Sequence, residues 1–192
     1  MSGYACDSMG RNNFSRVFMA RLSSLVLILL LSSPVALHAD LRETDEPLDA
    51  PRLELQDEHG KVHRLENYRD RVLVVNFWAS WCTPCVRELP GLNRLRKEFD
   101  DQPFEIFGVN VAEPPNRLKR FLKRHPIDFH VLYDRESEAF YAWSVKGLPT
   151  SFVIDREGSI RYLVRGAMEW DDVETIGIIR SLLVQPAEET TP

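Results

Sequence analysis

Cysteine is scarce in this chain: three residues in 192, at positions 6, 82 and 85. So few thiols cannot close a tetrahedral zinc site alone. Two histidines would have to join Cys82 and Cys85, and His59, His63, His125 and His130 show none of the usual paired ligand spacing. Positive charge is also short, with 24 Lys and Arg against 29 Asp and Glu, and beyond residue 39 the acidic excess widens. No internal repeat and no second composition block is present, so the roughly 150 residues after the amino-terminal segment read as one domain with a real core. Long apolar runs are missing too, apart from Leu22 to Leu31, which is too short for a comfortable membrane span unless Ser32 to Leu37 join it.

That run belongs to a recognisable pattern. Arg11, Arg16 and Arg21 form a positive start with Asp7 as the only acid, Pro34 breaks the helix, and Ala36-Leu37-His38-Ala39 follows. Residues 1–39 therefore read as a signal peptide, with an uncleaved amino-terminal anchor over residues 22–39 as the alternative. In either case the remainder is expected in an exported, periplasmic and oxidising location, and Cys6 leaves the redox accounting if the leader is removed. Residues 40–50, with Glu43, Asp45, Glu46 and Pro47, read as a polar linker. The domain is expected over 51–185 and a frayed tail over 186–192.

What the chain does have is Trp81-Cys82-Thr83-Pro84-Cys85. Two cysteines separated by two residues can open and close a disulfide without moving the backbone. An apolar, β-rich run precedes them (71–79), and a segment of helical spacing follows (86–97). Cys82 thus stands where a strand hands over to a helix, where unpaired amides and the helix dipole stabilise a thiolate. Cys85, one turn further in, is placed to resolve a mixed disulfide. The redox reading is favoured over metal binding, and no cofactor is expected.

The remaining pattern predicts an opening hairpin from Arg52–Leu55 and Lys61–Leu65 around Asp57-Glu58-His59-Gly60, then strands at Val72–Phe77 and Phe104–Val111. A helix is expected over Asn116–His125, a short extended piece at Phe129–Tyr133 and a short helix at Ser137–Trp143. Strands follow at Ser151–Ile154 and Ile160–Val164, and a last helix carries Val173, Ile176, Ile179 and Leu183 inward. This is an α/β domain with a mixed central sheet.

The cysteine motif after Val-Val-Asn-Phe-Trp-Ala-Ser, the following Val-Arg-Glu-Leu-Pro, and Gly147-Leu148-Pro149-Thr150 resemble the thioredoxin fold. More narrowly they resemble the exported TlpA-like and ResA-like thiol-disulfide oxidoreductases. The resemblance covers most of residues 51–185, is specific at the cysteines and loose elsewhere. It implies a thioredoxin-like fold with an amino-terminal β-hairpin extension and a central insertion at 112–133. It also implies that Pro149 is a cis-proline facing the cysteine pair, and that Trp81 is an exposed aromatic shielding the dithiol and touching the partner; Trp78 is expected in the core. Asn76 departs from thioredoxins proper, which carry a buried aspartate at that place. Glu88, three residues after Cys85 on the same helical face, is the expected substitute as proton acceptor; the alternative is a solvated surface glutamate.

The implied activity is disulfide exchange with exported protein dithiols and disulfides, in the reducing direction, as in cytochrome c maturation or copper-site assembly, fed by an upstream membrane electron donor. A copper metallochaperone is an alternative weakened by Met168 being the only methionine after the leader. A thiol peroxidase is another, weakened by Ala79 standing where related folds carry threonine. Arg117, Lys119, Arg120, Lys123 and Arg124 form a basic helix face, read as solvated or as a site for an acidic protein. Export argues against nucleic acid, and membrane association is expected only if the leader stays.

Overall fold

The computed structural model describes residues 41–184; the expected leader and tail lie outside the described residues. The centre is β4 (Val72–Trp78), whose seven residues are all buried. Both of its neighbours are buried as well. β5 (Phe104–Val111) lies parallel to it, and β7 (Thr150–Ile154) antiparallel. A strand covered on both faces needs an almost continuous apolar run, and Val-Leu-Val-Val-Asn-Phe-Trp supplies one with a single polar exception.

The other strands are β1 (Arg42–Asp49), β2 (Glu54–Asp57), β3 (Val62–Arg64), β6 (His130–Asp134) and β8 (Ser159–Arg165), in the sheet order β1-β8-β7-β4-β5-β6-β2-β3. β6 runs parallel to β5, and the β2–β3 hairpin joins antiparallel at the far edge. Side chains alternate across β4. Val72, Val74 and Trp78 enter one core with helix α1 (Thr83–Glu98), helix α2 (Pro115–Leu122) and helix α4 (Val173–Val184). Leu73, Val75 and Phe77 enter a second core with Leu53, Phe107, Trp143 and Phe152, under helix α3 (Glu138–Ala142). The period of two assigns Asn76 to the α1 face.

Two expectations change. The polar segment read as linker is instead edge strand β1, paired antiparallel with β8 through Arg42↔Leu163 and Asp49↔Ser159, with an irregularity between Glu43 and Leu48. Thr44 Oγ1 donates to the carbonyls of Ile160 (3.1 Å) and Arg161 (3.2 Å). An edge strand has one open side, so it tolerates charge, and a proline at an irregularity gives up no ladder bond; Pro47 sits there. In α4 Val173 is 89% exposed, while Thr175, Ile179, Leu182 and Leu183 are buried. Asp172 accepts the backbone N–H and the hydroxyl of Thr175 (2.9 and 2.7 Å), which turns the first helical residue outward.

Candidate active site

Cys82 and Cys85 are joined by a disulfide at the carboxyl end of β4. Cys82 is the residue that caps α1: its backbone is extended, and its sulfur accepts the Cys85 N–H at 3.3 Å. Pro84 lies in the first turn, where its missing N–H costs nothing because that amide has no helical partner anyway. Cys85 is fully enclosed and Cys82 retains 7% exposure, so the first cysteine is the one with an opening to solvent. Trp81 stands beside it, exposed, while Trp78 is buried in the core.

Leu148–Pro149 is a cis peptide bond. β4 and β7 pair with Phe77 opposite Thr150, so Pro149 lies at the sheet end where β4 gives way to the cysteine loop. Its carbonyl accepts from Gly166 N at 2.9 Å, and Thr150 Oγ1 donates to the Gly147 carbonyl at 2.8 Å, which fixes the turn.

Glu88 is buried in the α1 core, one turn after Cys85. Three donors reach its carboxylate: Asn76 Nδ2 at 2.8 Å to Oε1, and Trp170 Nε1 at 3.2 Å and Met168 N at 3.4 Å to Oε2. Loss of hydration raises its pKa to about 7, with the three donors pulling back in the other direction. Asn76 Nδ2 also donates to Ser151 Oγ at 2.8 Å, its cross-strand neighbour on β7. The solvated-glutamate alternative does not describe this side chain.

The sequence reading missed what surrounds Glu88. Trp170 arrives from the loop before α4, held there by a two-pronged ion pair of Arg94 with Asp171 (2.6 and 3.1 Å) and by close approach to Gly91, where a Cβ would lie 3.1 Å from Asp171 Oδ1 and 3.4 Å from Trp170 N. It also missed Glu113, which is buried and ties down the loop before the cysteines. Glu113 accepts the backbone N–H of Ser80, the Ser80 hydroxyl at 2.5 Å and Asn110 Nδ2 at 3.1 Å, with Arg117 Nε 3.4 Å away. The one available signal was an acidic residue two positions after an apolar strand end.

The assembly is a dithiol at a helix start, one cysteine opening outward, with a buried titratable carboxylate on the inner cysteine's helix face. Comparison with known proteins agrees with this chemistry. Residues 48–163 match the family described as AhpC/TSA. The chain is 38% identical over 125 residues to the thiol-disulfide oxidoreductase ResA of Geobacillus thermodenitrificans, covering 65% of this chain and 72% of that protein. It is 34% identical over 155 residues to ResA of Bacillus subtilis, covering 80% and 87%. Among solved structures, a thiol:disulfide interchange protein of the thioredoxin family from Chlorobium tepidum superposes with a TM-score of 0.62 at 28% identity, over 73% of this chain and 99% of that one. The thioredoxin-like expectation for the fold holds.

Proposed function

The chain belongs to the AhpC/TSA family and is a thiol-disulfide oxidoreductase, and from that premise we propose that Cys82 and Cys85 are its exchanging pair, with Glu88 as proton acceptor for Cys85. The Cys82 thiolate attacks one sulfur of a partner disulfide, forming a mixed disulfide and releasing a partner thiolate. Cys85 gives its proton to Glu88 and attacks Cys82 Sγ, closing the internal disulfide and releasing the second partner thiol. Two electrons pass to the partner. An upstream dithiol carrier at the membrane returns them by the reverse exchange. Trp81 and the cis-Pro149 turn lie at the mouth of the pair and meet the partner's backbone.

The observation that carries this reading is the buried Glu88, titrating near neutral pH on the helix face of Cys85. A general base works best when its pKa lies near the working pH. Within this reading the partners are exported proteins, with apocytochrome c and copper-site proteins as the substrate classes, and the domain faces the periplasm, released or held by residues 22–39. Among the described residues no helix is long and apolar enough to cross a membrane.

The test is capture. Cys85→Ser removes the resolving thiol, so mixed disulfides through Cys82 accumulate and can be isolated from the exported compartment; Cys82→Ser should capture far fewer. In the reduced protein limiting iodoacetamide should label Cys82 first. Preferential labelling of Cys85 would reverse the two roles, and consumption of peroxide at comparable rate would favour the peroxidase alternative.

A further inference from the structure

We propose that Asp57, His63 and His130, brought together by β2, β3 and β6, form a binding site for one divalent transition-metal ion of the zinc class. Each offers one ligand atom, and these atoms all lie within 4.8 Å of one another. The two imidazole rings are 4.5 Å apart between centroids. Such a pair of histidines beside a carboxylate is an N,N,O donor set, which suits zinc and its first-row neighbours.

The hydrogen bonds around the cluster already match what a metal would require. Asp57 Oδ1 is committed to the turn, accepting the backbone N–H of His59 at 2.9 Å and of Lys61 at 3.0 Å. Its other oxygen, Oδ2, lies 2.9 Å from His63 Nε2. An ion would replace the single proton shared by these two atoms; with metal–ligand bonds of about 2.0–2.1 Å in tetrahedral geometry, their separation need open by only a few tenths of an ångström. The second nitrogen of His63, Nδ1, is 2.7 Å from Tyr68 Oη, so the ring is held by an outer partner while Nε2 points at the carboxylate. Metal-bound histidines are held in this way.

His130 supplies the third ligand from the half-buried side of the cluster, where a water molecule can complete the shell. Glu105 Oε2 lies 3.7 Å from His130 Nε2 and adds negative charge, itself balanced by Arg96 Nε at 3.0 Å. A metal binds the neutral, deprotonated form of an imidazole, so binding at this cluster should weaken as the solution is acidified.

The position says what the ion would do. β4, β5 and β6 are parallel; Glu105 and His130 lie where β5 and β6 begin, whereas Cys82 follows the end of β4. The cluster and the dithiol therefore occupy opposite ends of the sheet. β2 is joined to β6 by only two residue pairs, Gln56↔Tyr133 and Asp57↔Leu132. An ion bridging Asp57 and His63 to His130 would clamp the hairpin to the sheet without touching the redox pair.

Zinc chloride titrated calorimetrically into untagged full-length protein tests this, with Cys82–Cys85 oxidised and Cys6 alkylated so that no thiol competes. One equivalent is expected to bind at about pH 7.5 and to raise the melting temperature. His130→Asn leaves the Asp57–His63–Tyr68 hydrogen bonds in place and should weaken binding at least tenfold, and Asp57→Asn should do the same. Both variants should keep the wild-type thiol-disulfide exchange rate. Cobalt in place of zinc should give visible absorption of a tetrahedral N,O site that both variants lose. Failure of the wild type to bind zinc at about 1 mM, or equal binding by wild type and both folded variants, overturns the site.

Discussion

At the scale of the residue, Glu88 carries the largest energetic consequence. Its folded-state pKa is about 7 against an ordinary 4.5. An acid whose pKa is raised by folding holds its proton more tightly in the native state. Its contribution to stability is therefore complete below about pH 4.5 and is lost as pH rises towards 7, where the buried carboxyl must ionise. The shift corresponds to roughly 3 kcal/mol. Glu88→Gln keeps the shape and removes the titration. Urea unfolding should show the variant close to wild type near pH 5 and more stable than wild type near pH 8, by an amount of that order. The exchange rate should lose its inflection near pH 7 in the same variant. Parallel stability profiles for the two proteins would show that Glu88 does not ionise across this range. The helical spacing of three made it legible in the sequence that Glu88 and Cys85 share a helix face. Its burial was not, because Asn76, Met168 and Trp170 come from a strand and a loop whose arrival depends on the whole fold.

At the scale of the element, the regular pieces were legible where one pattern dominated. The fully buried, mostly apolar β4 and β5 and the helix that carries Cys85 appear as read, within three residues at their ends. β1 was not legible, since a charged segment with a proline carries the same signal as a linker until β8 provides an edge to pair with. Gly108 was silent for another reason. It sits opposite Asn76 on β5, and a Cβ there would lie 2.8 Å from Phe129 Cε2 and 3.1 Å from Trp78 Nε1. Both rings are buried, so neither can swing into solvent. Gly108→Ala should cost about 1–3 kcal/mol through overpacking of this face, read as a lower urea midpoint with unchanged slope. An unchanged midpoint would mean that the two rings yield freely and that the packing of Phe129 and Trp78 over β5 is looser than its burial indicates.

At the scale of the molecule, the direction of electron flow is written in the relative stability of the two redox states. For any dithiol protein, the difference in unfolding free energy between oxidised and reduced forms equals the difference in potential between folded and unfolded pairs; about 30 mV corresponds to 1.4 kcal/mol for two electrons. Thiolate stabilisation at the start of α1 favours the reduced form at Cys82. At Cys85 the balance goes the other way. That cysteine is fully buried, and the carboxylate on its helix face adds negative charge above pH 7, so a second anion there is disfavoured. Thr83 and Pro84 between the cysteines add no charge to offset this. A protein that donates electrons to exported partners must therefore be more stable oxidised than reduced. Urea unfolding at about pH 8, with the dithiol held closed or opened by excess reductant, should place the oxidised midpoint higher, and Glu88→Gln should narrow the gap by relieving the reduced state. A reduced form that outlasts the oxidised one would make this chain an oxidant of its partners and reverse the proposed role, while leaving Cys82 and Cys85 as the exchanging pair.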